Sequence, residues 1–359
     1  GGGVNGGNVD GFGIHVRNGD TGNIFRGCRA WLNSDDGFDA INSGEPALFE
    51  NCWAFYNGYS SSTGNFSNLV SRGDGNGFKI GGYGLGGTPY FTILSNYSPI
   101  PTNTVQFCVS AGNKQSGFYA NHHLEGNNWY NNSAYLNKRN YNMSNAQSLS
   151  SSGISITGPG WNHVLTNNVG LGATLVELTN IDIPECTLTN NYFDPNTALT
   201  VTPSDFLSLD INLLTSPRQA DGSLPDTDFM KLEANSDLVD AGADIGFPFN
   251  GSAPDLGYTD YLAALSTAEI DTSTVSDFKN YPNPFTSETR VNFNLETSTK
   301  IEVTIYNLMG VKVFELPKQS YNSGENFITL KRNNLSSGSY LLTLRGEDGS
   351  FNTKIIIAK

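Results

Sequence analysis

The sequence predicts an all-β protein, a parallel β-helix followed by an acidic extension and a small β-sandwich, and three observations carry that prediction. Gly and Asn number 40 and 43 of 359 residues while only 15% are charged. Both are weak helix formers, and the Ala, Glu, Lys, Leu and Arg excess of long helices is missing. An aromatic content of 11% argues against a disordered chain. The second observation is an internal repeat with a period of about 24 residues in the first 200. The third is a change, from Tyr281 onward, to runs of alternating apolar and polar residues separated by turn formers.

The repeat aligns CRAWLNSDDGFD from Cys28, CWAFYNG from Cys52 resuming at GNGFK, CVSAGNKQSGFY from Cys108 and NSAYLNKRNYN from Asn132, with fainter copies at Asn168 and Asn191. Insertions near 58–72 and 83–104 separate the second copy from the third. Short β-prone runs with Gly turns at this period suit one coil of a parallel β-helix per repeat. Aligned residues then stack about 4.8 Å apart. Asn33, Asn57, Asn113 and Asn137 are expected to form an amide ladder, Phe12, Phe38, Phe78, Phe118 and Tyr141 an interior aromatic stack, and Cys28, Cys52 and Cys108 a third structural column.

One column does not suit a purely structural repeat. Directly after each stacked aromatic come Gly13, Asp39, Lys79, Tyr119 and Asn142, and before each Gly-aromatic pair stand Asp10, Asp36, Asn76 and Ser116. Asp10, Asp35, Asp36 and Asp39 therefore gather at one corner of two neighbouring coils. Four carboxylates at one corner repel unless a cation joins them, and an all-oxygen ligand set favours Ca²⁺ over Mg²⁺. A solvated acidic turn is the alternative, since DDGxD also occurs in ordinary turns. Lys79 falls in the column of Asp39, one coil on. Beside a cation and partly desolvated, its pKa is expected to fall, which would let it act as a base; a plain ion pair with Asp39 is the other reading. A calcium ion with a basic lysine suits β-elimination from a uronic acid polymer: the ion neutralises the uronate carboxylate and the lysine removes the C5 proton.

The motifs NVDGF (8–12), FRGCRAWLNSDDGFD (25–39), ENCWAFYNG (50–58), GDGNGFKIGG (73–82) and GNKQSGFYANHH (112–123) together resemble polysaccharide lyase family 9, over roughly residues 1–145. The resemblance implies a right-handed β-helix, calcium bound by Asp10, Asp35, Asp36 and Asp39, Lys79 as catalytic base, and pectin, an acidic plant cell-wall polysaccharide, as substrate. Tyr119, Asn121, His122 and His123, one coil beyond Lys79, are placed at the border of the substrate groove. The chain opens within repetitive structure and without a signal peptide, so the first coils and N-terminal cap of such a protein are expected upstream.

The domains are expected at 1–200 for the catalytic β-helix, 201–261 for an acidic extension that caps or flanks the solenoid, 262–278 for a linker and 279–359 for the sandwich. Charge supports the division: 8 basic and 13 acidic residues lie in 1–200, 2 and 14 in 201–278, and 10 and 7 in 279–359. YPNPF (281–285) with NLMGVKV, LSSGSYLL and the terminal KIIIAK resembles the type A sorting domain of the bacterial type IX secretion system. That implies the type IX machinery as partner, secretion or cell-surface attachment, and a Bacteroidetes-like host. A net charge of −14 argues against nucleic acid as a partner. No run of 18 apolar residues suggests a membrane helix. Four cysteines match neither a zinc spacing nor a disulfide framework, and a monomer is expected.

Three other functions stay open on the sequence. A lyase acting on rhamnogalacturonan I would use the same chemistry. A β-helical glycoside hydrolase would use paired aspartates without Lys79. A noncatalytic surface adhesin would make the Asp/Lys column incidental.

Overall fold

The computed structural model describes residues 6–83, 99–149, 155–195, 197, 199–259, 275–307, 311–346 and 350–358. Most of the insertion expected at 83–104 and of the linker expected at 262–278 lies outside these residues. One compact unit comprises residues up to Ala243 with Asp255–Thr259, and a second comprises Asp244–Pro254 with the described residues from Val275 on.

The first unit is a parallel β-helix of three sheets. Sheet A stacks Phe12–Gly13, Phe38–Ala40, Phe78–Ile80, Ser116–Tyr119, Arg139–Asn142 and Val176–Thr179, in chain order. Sheet B stacks Asn23–Arg26, Ala47–Glu50, Thr104–Gln106, Asn128–Tyr130, Val164–Thr166 and Thr187–Thr189. Sheet C stacks Arg29–Trp31, Trp53–Phe55, Val109–Ala111, Ser133–Tyr135 and Val169–Leu171. The first five coils pass through A, B and C in turn, and among the described residues a sixth adds strands to A and B. We number the coils 1 to 6 by their sheet A strands.

Stacking is enforced by side chains as well as by the ladders. Ring centroids of Phe12, Phe38, Phe78, Phe118 and Tyr141 follow one another at 4.7, 4.8, 5.2 and 5.2 Å in near-parallel planes. The asparagine ladder is continuous: Nδ2 of Asn33 donates to Asn57 Oδ1 (2.8 Å), Asn57 to Asn113 (2.9 Å) and Asn113 to Asn137 (2.9 Å). The same oxygens accept backbone N–H groups, as from Asn57 to Asn113 Oδ1 at 3.0 Å. Residues just before the ladder turn into the left-handed region, including Leu32 (φ 53°), Tyr56 (φ 50°) and Leu136 (φ 53°). The ladder bonds hold these sharp corners in place. Gly37 and Gly77 complete the fit, since a Cβ on Gly37 would lie 2.8 Å from Asn57 Nδ2 and one on Gly77 2.1 Å from Ser110 Oγ.

The cysteine column is one end of a second ladder. The backbone N–H of Cys52 faces Cys108 Sγ at 3.4 Å, Cys108 N–H donates to Asn132 Oδ1 at 3.0 Å, and Asn132 and Asn168 donate on to Asn168 and Asn191. Asn103, Asn127 and His163 form a third, which the alignment did not reveal because its register begins inside an insertion.

The expected insertion at 58–72 is an arm with a short antiparallel pair, Tyr59–Ser60 with Val70–Ser71, and a second hairpin, Asn145–Leu149 with Ser155–Gly158, leaves coil 5. Residues 206–243 and 255–258 lie along the outer face of sheet C: Arg29 donates to the carbonyls of Leu214 and Ser216 at 2.8 Å, Phe229 packs edge-on against Tyr135, and Tyr258 N–H donates to Ser133 Oγ. The extension thus flanks the solenoid. At its end the aromatic stack is met instead by Phe193, 5.2 Å from Tyr141.

The second unit is an antiparallel sandwich. Val275–Tyr281, Glu288–Leu295 and Gly324–Lys331 form one sheet, and Lys312–Tyr321, Thr299–Asn307, Gly338–Arg345 and Ser350–Ile357 the other. Burial alternates along Glu288–Leu295, whose Val291, Phe293 and Leu295 enter the core with Ile301, Ile305 and Leu342.

Candidate functional site

Sheet A carries the charged column outward. Pairing sets Gly13 beside Asp39, Asp39 beside Lys79, Lys79 beside Tyr119 and Tyr119 beside Asn142. One step earlier in each coil, Asp36 N–H donates to Asp10 Oδ1 (3.0 Å), Asn76 gives both its N–H and its amide to Asp36 Oδ1 (2.6 and 2.8 Å), and Ser116 N–H donates to Asn76 Oδ1 (3.0 Å). These bonds lock the rotamers of the corner. Asn76 is the positioning residue that the charge pattern overlooked, although its place in the Asp10/Asp36 column marks it.

Carboxylate oxygens of Asp10, Asp36 and Asp39 lie within 4.8 Å of one another. Lys79 Nζ stands 3.0 Å from Asp36 Oδ2 and 3.1 Å from Asp39 Oδ2. Asp36 is fully buried and Asp39 nearly so, and Lys79 keeps 14% of its side-chain surface. Three carboxylates and one ammonium leave the corner with two uncompensated negative charges. The buried Oδ1 of Asp39 has no hydrogen-bond partner, and Asp36 Oδ2 meets only the lysine charge. Buried charge is costly unless paired. A divalent cation with a preference for oxygen ligands would supply the missing charge and the missing partner, so the residues present fit such an ion.

The electrostatics follow from burial. Desolvation pushes the Asp39 carboxyl up to about 6, against the pull of Lys79 and with the repulsion of Asp36. It also raises Asp36 and Asp10, offset by Lys79 at Asp36 and chiefly by the Asp36 N–H at Asp10. For Lys79, burial acts downward, but Asp36 and Asp39 outweigh it and the ammonium is held above its ordinary range. The fall expected from sequence applies to a Lys79 with a cation beside it; the rise comes from the carboxylates of Asp36 and Asp39.

The remaining expected site residues separate. Asp35 is buried, but its carboxylate accepts the backbone N–H groups of Asn8 (2.5 Å) and Asp74 (2.6 Å) and is not in the three-carboxylate group. It ties the chain before coil 1 and the foot of the hairpin arm to the corner. Lys114 anchors the same arm through the carbonyls of Arg72 and Gly73. Tyr119 and His122 are half-buried on the surface beside Lys79, joined by a 2.9 Å contact between Tyr119 Oη and His122 Nε2. Asn121 is a turn residue at φ 51° whose amide donates to Gly81 O. A groove-bordering place for His123 is corrected. Its ring is completely buried, stacks on Tyr83 at 5.4 Å and contacts Pro101 O through Nε2 at 2.9 Å. The turn that lifts His122 outward directs its neighbour inward.

Residues 2–166 match the family described as Pel9A-like, right handed beta helix region, and residues 279–358 match the secretion system C-terminal sorting domain. The chain is 38% identical over 255 residues to pectate lyase L of Dickeya dadantii, covering 70% of this chain and 51% of that protein. Pectate lyase L of Paenibacillus polymyxa is 28% identical over 251 residues, covering 67% and 48%. Among solved structures, a rhamnogalacturonan lyase superposes with a TM-score of 0.56 at 36% identity, covering 64% of this chain and 53% of that one. The crystal structure of pectate lyase Pel9A does so with 0.54 at 36% identity, covering 71% and 55%. The chain spans about half the length of the curated relatives it matches.

Proposed function

We propose that this chain, a Pel9A-like right-handed β-helix joined to a type IX sorting domain, is a secreted polysaccharide lyase that cleaves the pectin backbone by calcium-assisted β-elimination with Lys79 as base. The observation that carries the reading is the position of Lys79 Nζ, 3.0 and 3.1 Å from two of three clustered, buried carboxylates. Asp10, Asp36 and Asp39 would hold the ion, with Asp35 close enough to add its charge. When bound, calcium supplies neutralisation of the uronate carboxylate, which makes the C5 proton more acidic. With the carboxylates engaged by a cation, the force that holds Lys79 protonated is removed, and the same burial that opposes its charge then favours the neutral amine. Nζ takes the C5 proton; the C–H electron pair forms the C4–C5 double bond, and the C4–O bond breaks with its electrons on the departing oxygen, which is protonated by solvent. The sorting domain supports export to the cell surface or beyond.

Likeness to a rhamnogalacturonan lyase keeps rhamnogalacturonan I as a second substrate reading with the same elimination step. The test is absorbance of the unsaturated product formed from polygalacturonate and from rhamnogalacturonan I, with and without a chelator. Elimination that requires calcium is expected. Reducing ends without the ultraviolet chromophore would instead indicate hydrolysis, and chelator-insensitive turnover would remove calcium from the reaction.

A further inference from the structure

The columns that carry the acidic corner change sign along the solenoid. Sheet A pairing sets Arg139 beside Ser116, and Ser116 follows Asp10, Asp36 and Asn76 in one backbone-bonded column. Arg139 N–H donates to Gln115 O as Gln115 N–H does to Gly75 O and Asp35 N–H to Val9 O, so Arg139 stands at the coil 5 end of the rows that hold Asp35 and Asp36, with Lys138 just before it in the chain. On coil 2 this rim carries Asp35 and Asp36; on coil 5 it carries Lys138 and Arg139. Lys79 lies between them, on coil 3. Three coil steps separate the two charged pairs, about 14 Å.

These cations are not spent on the protein's own acids. Among the described residues, neither Lys138 nor Arg139 has a carboxylate within ion-pair distance; Arg139 makes one long contact of 3.4 Å to Gln115 Oε1. Both are half-buried at the rim of sheet A. Of the 8 basic residues in 1–200, Arg26 pairs with Glu50, Arg29 lies under the extension and Lys79 belongs to the corner. An acidic protein that leaves two adjacent cations unpaired in line with its acidic site presents a complementary surface to a polyanion.

We infer that Lys138 and Arg139 form an anion subsite that receives a uronate carboxylate of the polymer two coils from Lys79, and that it selects a continuous polyuronate over a backbone in which uronates alternate with neutral sugars. This rests on the lyase reading for its substrate but not for its existence, since binding is measurable without turnover. A polymer laid along this rim has a carboxylate near the corner and further carboxylates at each following residue, so it reaches the subsite in any register. An alternating backbone brings a charge there in only some registers. Exposed ion pairs are screened by salt, so the contribution belongs to low ionic strength.

The test uses the full chain with Lys138→Gln/Arg139→Gln, the charge-retaining Lys138→Arg/Arg139→Lys, and Lys300→Gln/Lys331→Gln in the sandwich as a charge-matched control. Retardation in gels containing polygalacturonate, rhamnogalacturonan I or neutral galactan is measured with chelator present, alongside steady-state kinetics. The neutralised pair is expected to weaken polygalacturonate binding and raise KM roughly fivefold at low salt with kcat little changed, the difference fading at high salt. The charge-retaining pair is expected to behave as wild type, as is the control, and the effect on rhamnogalacturonan I is expected to be smaller. Unchanged polygalacturonate retardation in the neutralised pair overturns the subsite, and equal loss on both acidic polymers overturns the selectivity. Wild-type retardation without an unsaturated product would sink the lyase reading and leave the subsite standing.

Discussion

Asn113→Ala tests whether the amide ladder, rather than the aromatic stack alone, holds the coil corners that present the charged column. Asn113 is 2% exposed. Its Oδ1 accepts from the backbone N–H and the amide of Asn57 at 3.0 and 2.9 Å, and its Nδ2 donates to Ala54 O, Asn137 Oδ1 and Ser110 Oγ at 2.9, 2.9 and 3.0 Å. Alanine removes all of these, orphans the buried N–H of Asn57 and leaves its amide with Ala30 O alone, and strips the buried Ala54 O of its donor. At about 1–3 kcal/mol for each unsatisfied buried group, the cost is about 4 kcal/mol. Asn33→Ala, at the ladder's first rung, removes only the donation to Asn57 Oδ1, which still receives the Asn33 backbone N–H; its cost is about 1 kcal/mol. For a unit of this size the larger value lowers the unfolding midpoint by about 10 °C. The four tryptophans, Trp31, Trp53, Trp129 and Trp161, all belong to the β-helix, so tryptophan fluorescence during heating follows that unit by itself. A midpoint for Asn113→Ala no lower than that of Asn33→Ala would refute the ladder argument and leave ring stacking as the main register device.

Lys79→Ala should reduce kcat by about 10²–10⁴-fold while the fluorescence melt remains cooperative, and more than a tenth of wild-type turnover would exclude Lys79 as the base. Asp39→Asn removes one of the three clustered carboxylates and should abolish the rise in melting temperature that calcium gives the wild type; an undiminished rise would place the ion elsewhere. His163 supplies a pH test remote from the corner. Its Nδ1 accepts from Asn127 N–H at 3.0 Å, its Nε2 donates to Asn145 Oδ1 at 2.8 Å, and burial pushes its pKa down to about 3. The neutral ring is therefore the folded form: its contribution is fully present above the unfolded value near 6.5 and is lost as pH falls toward 3. The stability advantage of wild type over His163→Gln should shrink by about 1.4 kcal/mol per pH unit between pH 6 and 4, and a constant difference in denaturant titrations would contradict the assignment.

The sequence by itself determined the repeat and hence the columns, because in a parallel β-helix residues one period apart must stack. The asparagine and aromatic ladders, the mostly parallel sheets and the adjacency of Asp39, Lys79 and Tyr119 all follow from spacing alone. Spacing also aligned Asp10 with Asp36, but it could not say which carboxylates converge. Asp35 and Asp36 are neighbours in sequence, yet one turns to the backbone of Asn8 and Asp74 and the other to Lys79, a choice made by the chain before coil 1 and by an arm inserted 39 residues downstream. His122 and His123 separate in the same way, the latter pressed under Tyr83. The tertiary structure alone seated the acidic extension along sheet C, where Arg29 meets carbonyls 185 and 187 residues away. Periodicity reports contacts between equivalent positions of successive coils; burial, carboxylate direction and the covering of a face depend on insertions and extensions that fall outside the period.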